Sequence, residues 1–264
     1  MKIKIALTSL MLMLAVIMSC VIASADGGIN VTVSIANGEL VLSEAALTVT
    51  DEDGDGSITI NDALICAHKS NYTDGADGFM SVSGDYGLSM TKLWGIENGG
   101  SYGYYVNNTT AMSLADEIKN GDRIYAFVYT DTTAFSDMFT YFDISSVTVT
   151  QNGSLTLTLN GAGYDENWSP ITVPVENAVI TINGQKTNIK TDKNGKAVIS
   201  LENTGKYVIS AVSDTSVLVP AVCVATVKEP SPQTSDSGMA VLILVSLCSL
   251  FAGYMLIRKR TYAK

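Results

Sequence analysis

The sequence predicts a mainly β protein: an α+β head with one helix, then a β-sandwich, framed by an apolar leader and an apolar C-terminal span. Three observations predict it. Short runs dense in Val, Ile, Thr and Tyr alternate with polar residues and stop at Asn-Gly or Asp-Gly turns, as strands joined by tight turns do. The clearest helical periodicity is one stretch, residues 60–72, with Ile60, Leu64, Ile65 and His68 on one face. The two long apolar runs lie at the ends, residues 5–21 and 239–257.

In chain order, Lys2 and Lys4 precede the first apolar run, and Ala23-Ser24-Ala25 offers small residues for cleavage before Asp26, so residues 1–25 read as a signal peptide. Cys20, behind Ile17 and Ser19, is the alternative processing point of a lipoprotein, which Met18 fits poorly. Residues 30–35 and 40–42 flank Asn37-Gly38 as a hairpin. Further strands are expected at 79–83, 103–106, 124–129, 146–150 and 155–159. A break is expected over 161–174, where Trp168 and two prolines interrupt the pattern. Strands resume at 178–183, 186–191, 197–201, 207–212 and 217–227. The domains this implies are a head over 26–160, a linker over 161–171 and a sandwich over 172–228. A short linker (229–238), a transmembrane helix (239–257) and a cytoplasmic tail (258–264) follow, the tail placed inside by Arg258, Lys259 and Arg260.

The strongest chemical signal is the run from Asp51 to Asp62, D-E-D-G-D-G-S-I-T-I-N-D. It spaces oxygen ligands as an EF-hand loop does: Asp51, Asp53 and Asp55 at positions 1, 3 and 5, and Gly56 at the sharp turn. Ser57 would add its carbonyl, Thr59 would bind directly or through water, and Asp62 would close the shell. Ile58 is the one apolar residue expected to turn inward. So many carboxylates repel one another unless a hard cation neutralises them, and Ca²⁺ is the implied ligand. An acidic Asp/Gly turn is the plain alternative.

This loop with Ala63-Leu64 resembles one half of a dockerin, a family that binds cohesin scaffolds through two such loops. The nearest second candidate, Asp192-Lys193-Asn194-Gly195, reads as a hairpin turn, so cohesin binding is the lesser expectation. Trp94-Gly95, the run 100–108 (G-S-Y-G-Y-Y-V-N-N) and Asn120-Gly121-Asp122 resemble the β-grasp domain related to the C-terminal domain of transcobalamin and intrinsic factor. That resemblance implies a β-grasp head and, by analogy, a cobalamin-like small-molecule ligand. The calcium loop would then cap the helix and lock it on the sheet. Residues 172–228 resemble bacterial immunoglobulin-like or prealbumin-like modules through V-E-N-A-V-I-T-I-N-G, T-D-K-N-G-K-A and G-K-Y-V-I-S-A. Some such modules carry Lys–Asn cross-links. Lys190, Lys196 and Lys206 have asparagines nearby, but no acid to catalyse the bond is identified. The order of polar motif, apolar span and basic tail resembles the LPXTG sorting signal of Gram-positive surface proteins. Pro232, Gln233 and Thr234 keep the Pro-x-Thr core, while Ser231 and Ser235 replace its Leu and Gly. The resemblance implies a sortase that cleaves after Thr234 and joins the chain to peptidoglycan.

Composition narrows the function classes. The net charge is −10, and several of the basic residues sit at the two ends, so the body is strongly acidic and ill suited to nucleic acid or anionic lipid. Cys66 and Cys223 are the two cysteines of the body, and either a disulfide or two isolated buried thiols fits them. No motif for nucleophilic, zinc or phosphate chemistry occurs, so an enzyme is not expected. The aromatic cluster Trp94, Tyr102, Tyr104, Tyr105, Tyr125, Tyr129, Phe135, Phe139, Tyr141 and Phe142 has two readings. It could fill and rim the head's core, or Trp94, Tyr102, Tyr104 and Tyr105 could stack on a sugar or a planar ligand. The implied function is a cell-surface, calcium-stabilised binding or adhesion protein whose ligand is a glycan, a protein or a small molecule.

Overall fold

The computed structural model describes residues 27–230, apart from residues 86 and 100. The expected signal, the Pro232–Ser235 motif, the span 239–257 and the tail lie outside the described residues. Among those described, no helix is long and apolar enough to cross a membrane. The chain is mainly β, and the described part up to Val227 belongs to one compact unit.

Strands β1 (Ile29–Ala36) and β2 (Leu40–Val49) form the expected hairpin, with Gly38 at φ +87° in its turn. Asn-Gly suits this bend because glycine enters the left-handed region without a Cβ clash. The hairpin carries a bulge: Val33 faces Ala45 but Ile35 faces Leu42, and Glu44 takes φ +45°. There the Glu44 N–H donates to Ser34 Oγ, and its carboxylate sits 3.1 Å from Arg123 Nη2. Helix α1 (Ile60–Asn71) follows. Then come the hairpin β3 (Met80–Gly84) with β4 (Gly87–Lys92), strand β5 (Tyr102–Val106), the short β6 (Thr109–Thr110) and β7 (Arg123–Val128). The first sheet has the order β2-β1-β7-β5-β6, and its central pair, β1 and β7, is parallel. Val31, Val33 and Ile35 of β1 and Ile124, Ala126 and Val128 of β7 share a buried core with Ile60, Ala63, Leu64 and Ala67 of the helix. The period of two on the strands and of 3.6 on the helix puts those residues on facing surfaces.

The remaining strands are β8 (Met138–Phe142), β9 (Ser146–Thr150), β10 (Ser154–Tyr164), β11 (Pro170–Pro174), β12 (Val179–Ile182), β13 (Gln185–Lys190), β14 (Lys196–Ser200), β15 (Gly205–Val212), β16 (Leu218–Val219) and β17 (Cys223–Lys228). One sheet runs β11-β10-β8-β16, with β14 also paired to β10; the other runs β13-β12-β15-β17-β9. Leu155, Leu157 and Leu159 of β10 meet Ile180, Ile209, Ala211 and Ala225 of the opposite sheet in a second core. Alternation on β10 is clean (buried at 155, 157, 159), as a strand with one face inward requires.

Several expectations are corrected. The linker over 161–171 does not exist as such: β10 continues to Tyr164 and pairs with β11, with Ala162 opposite Thr172. The sandwich also recruits β8, β9 and β10, so it begins well before residue 172. The strand expected over 217–227 is split at Pro220, which has no N–H for a ladder. The turn Asp192–Gly195 closes no hairpin; it carries the chain from β13 in one sheet to β14 in the other. Cys66 and Cys223 are free thiols in different cores, and Cys66 is only half-buried.

A third cluster joins the first sheet to the sandwich. Ala36, Tyr125 and Phe127 of the first sheet pack against Phe139, Val219, Val222 and Val224. The buried Tyr125 hydroxyl donates to Pro220 O, and Thr140 Oγ1 donates to Val219 O at 2.6 Å. Burial also raises the Tyr125 hydroxyl's pKa far above its ordinary value, so it stays a neutral donor.

Candidate functional site

Two places carry the candidate residues: the acidic loop and a cleft walled by aromatics. In the loop, carboxylate oxygens of Asp51, Asp53 and Asp55 all lie within 4.8 Å of one another. Gly54 and Gly56 take φ +79° and +94°, which allows the chain to wrap tightly around Asp51. The Asp51 carboxylate accepts from the N–H groups of Gly54 (2.7 Å), Asp55 (3.1 Å) and Gly56 (2.9 Å). Three carboxylates gathered this closely on an exposed turn could hold a metal ion, and a hard, oxygen-seeking cation would suit them.

The other three expected ligands stand differently. Asp62 is fully buried and outside the cluster. Its Oδ1 accepts from Glu52 N (2.7 Å) and Asp53 N (3.2 Å), and its Oδ2 from Thr59 N (2.8 Å) and Thr59 Oγ1 (2.7 Å). Asp62 sits third in the helix, where a carboxylate reaches back to the residue before the first turn. Thr59 is thus occupied by Asp62, and Ser57 donates its N–H to Asp55 Oδ1 at 2.9 Å. Ile58 turns towards the first core as expected. The helix start is further tied by Ile60 N to Asp116 O (3.1 Å) and Asn61 N to Leu114 O (2.9 Å). These satisfy first-turn N–H groups that a helix cannot satisfy within itself.

The aromatic residues divide among three places. Trp94 packs on His68 and Tyr72, each with ring centroids 5.2 Å away, at the far end of the helix. His68 is buried and satisfied. Trp94 N–H donates to its Nε2 (3.0 Å), which leaves Nδ1–H to donate to Leu64 O (2.7 Å). Burial lowers its pKa. Tyr102 and Tyr104 pack on the first core, and the Tyr102 hydroxyl lies 2.8 Å from Thr91 O. Tyr105 points the other way and stacks on Phe139 at 3.7 Å and 10°. Of the four expected ligand-binding aromatics, Trp94 therefore sits apart, whereas Tyr102, Tyr104 and Tyr105 all border one cleft. The reading in which the whole cluster fills the head's core is corrected as well, because Tyr105, Tyr125, Tyr129, Phe139 and Tyr141 sit between sheets and Phe142 lies in the sandwich core.

That division leaves a concave surface beside Tyr105. Two adjoining clefts of about 490 Å³ and 520 Å³ share Tyr105, Thr110, Ala162 and Tyr164. Tyr129 and Phe135 border the first, and Tyr141, Asn107 and Thr172 the second. The Tyr141 hydroxyl is 3.0 Å from Thr172 Oγ1. Burial raises the pKa of the Tyr105 and Tyr129 hydroxyls, so both remain neutral. Tyr164 and the neighbouring Trp168 were outside the sequence-derived set. The one available signal was a tryptophan in the otherwise polar turn D-E-N-W-S.

No protein-family model and no curated protein matches this chain. Among solved structures, the tandem Ig repeats of Dlar are similar at 10% identity over 76% of this chain and 96% of that one. The TM-score is 0.23, a likeness too slight to carry an argument.

Proposed function

We propose that this is an exported, surface-anchored, calcium-stabilised binding or adhesion protein of a Gram-positive bacterium. It consists of a β-grasp head fused to an immunoglobulin-like sandwich. Support for the head comes from the order β2-β1-β7-β5-β6 with a parallel centre and one helix on its face, reached by hairpin, helix and returning strands. Support for anchoring comes from the sequence: the leader, the Pro232–Thr234 core, the apolar span and the basic tail. Calcium is supported by the gathered carboxylates of Asp51, Asp53 and Asp55.

The observation that carries the binding role is the open cleft between the head and the sandwich, two β units locked together by a buried third cluster. A concave, largely preformed surface of this size is where a ligand gains contact without ordering the chain first. The test is a screen of the intact protein against glycans, host matrix proteins and corrinoids, run with Ca²⁺ and with EDTA. Retention of a ligand class in Ca²⁺ is the expected result. Absence of any retention, with no heat of Ca²⁺ uptake by calorimetry, would overturn the reading.

A further inference from the structure

We propose that the cleft between the head and the sandwich is a binding site for a neutral glycan chain, gripped between aromatic side chains that two aspartate-clamped loops hold out into water. This rests on the binding role proposed above and names its ligand class.

The first loop spans 131–137. Asp131 Oδ1 accepts from the N–H groups of Thr133 (3.0 Å) and Ala134 (2.9 Å), and its Oδ2 from Ser136 Oγ (2.7 Å). Asp137 closes the other end, accepting from Thr130 N and Oγ1 and from Asp131 N. Between these clamps Phe135 sits at φ +52°, 54% exposed, edge-on to Tyr129 at 5.5 Å. The second loop joins β10 to β11. Asp165 Oδ1 accepts from Asn167 N and Ser169 N, each at 2.8 Å, and Asp165 O accepts from Trp168 N. Here Trp168 sits at φ +60°, 82% exposed, with Tyr164 6.3 Å away.

Each turn places a residue in the left-handed region, Phe135 with its N–H on Asp131 O and Trp168 with its N–H on Asp165 O, yet neither turn needs that residue to be aromatic. A non-glycine residue in the left-handed region is strained by about 1 kcal/mol or more, and such strain persists only where surrounding structure over-determines it. Trp168, 82% exposed, recovers little of that through burial, and Phe135 only part of it. Phe135 lines the first half of the cleft, and Tyr164, whose ring centroid lies 6.3 Å from that of Trp168, lines both halves. Rigid aromatics preset on clamped loops reduce the ordering cost of binding.

The lining chemistry selects the ligand. Asp137 is the one charged residue of the lining, and both its oxygens are occupied within its own loop. With no Lys or Arg there and a net charge of −10, anionic ligands are disfavoured. Aromatic rings of Tyr105 and Tyr164 alternate with the neutral hydroxyl groups of Thr110 and Thr172. Sugar rings present that same alternation, with C–H faces that stack and hydroxyl edges that hydrogen-bond. Two adjoining clefts with shared walls suit an extended chain better than a compact molecule.

The test uses the full-length protein in detergent, titrated with cellohexaose, xylohexaose, mannohexaose and maltohexaose, with hexagalacturonate and a heparin hexasaccharide as anionic arms. The chain has two tryptophans, so binding is read by tryptophan fluorescence and by calorimetry. At least one neutral hexasaccharide should bind. Trp168→Ala and Tyr164→Ala should each weaken it about tenfold. Trp168→Tyr should restore part of the affinity, and Val82→Ser on the separate β3–β4 hairpin should leave it unchanged. Melting temperatures should not move for Trp168→Ala, which removes an exposed ring. Failure of every neutral hexasaccharide, preference for the anionic arms, or equal affinity in Trp168→Ala would overturn the assignment. Retention of a host protein or corrinoid in the broader screen would, in that event, leave the binding role standing without this site.

Discussion

The Tyr105 ring lies 3.7 Å from that of Phe139 and within 10° of parallel, so a strand of the head is stacked face to face on a strand of the sandwich. Phe139 is buried and also meets Tyr125 edge-on at 5.3 Å, so the junction is a small aromatic core. A stalk that hinged freely would need this surface to be wet. Phe139→Ala should therefore cost about 3–5 kcal/mol in urea denaturation, through lost burial and the cavity left behind. A double-mutant cycle with Tyr105→Leu and Phe139→Leu should give a coupling of about 1 kcal/mol. Zero coupling would mean that the stack adds nothing to the junction.

Gly103, beside Tyr105, is a second handle on the same junction. A Cβ at this position would run into the Phe127 ring, which is itself buried. Gly103→Ala should lower stability by about 2 kcal/mol, the scale of forcing a methyl group into a packed core. Gly99→Ala, where a Cβ meets nothing, is the companion variant; its positive φ leaves backbone strain as the sole cost.

The acidic loop separates two roles that one aspartate-rich run conceals. Asp51→Ala with Asp55→Ala should abolish Ca²⁺-dependent protection of residues 62–72 against proteolysis while leaving the fold intact in EDTA. Asp62→Ala should instead destabilise the protein in EDTA as well, by about 3 kcal/mol. It strands N–H groups of Glu52, Asp53 and Thr59, part-buried or buried, that now share one carboxylate. Equal behaviour of the two variants in EDTA would remove the distinction.

His68 makes the head acid-sensitive. Burial lowers its pKa in the folded state, so the unfolded chain takes up the proton first. Its contribution to stability is complete above the ordinary histidine value of 6.5 and is lost as pH falls below it, through the folded value. Protonation would also place a donor at Nε2 against the Trp94 N–H. Unfolding free energy should therefore fall as the pH drops below 6.5, and His68→Gln should flatten that slope. An unchanged slope in the variant would assign it to other groups.

The anchor is checked by fractionation of cells. Thr234→Ala should move the protein from the wall fraction to the membrane fraction, because the acyl group of Thr234 is what a sortase would join to the wall. An unchanged distribution would favour a plain transmembrane tether.

Much of the architecture was legible from local pattern. The hairpin at Asn37-Gly38, the helix from Ile60, the clustering of Asp51, Asp53 and Asp55 and most strands follow from periodicity and turn chemistry, which act over a few residues. Strand β8 escaped because Phe139, Thr140 and Phe142 are all buried, on both faces, and such a strand shows no alternation. Strand β11 escaped because its bounding prolines, Pro170 and Pro174, imitate a linker while occupying an edge, where no ladder N–H is required of them. The sequence by itself determined where the chain turns, which faces are apolar and where acids crowd, since each depends on neighbours in the chain. Tertiary structure alone decided that Asp62 would bind backbone N–H groups rather than join the cluster. It alone stacked Tyr105 on Phe139 and brought Phe135 to the same cleft as Tyr164. Those outcomes depend on pairings between residues far apart in sequence, whose partners become definite only when the sheets close on one another.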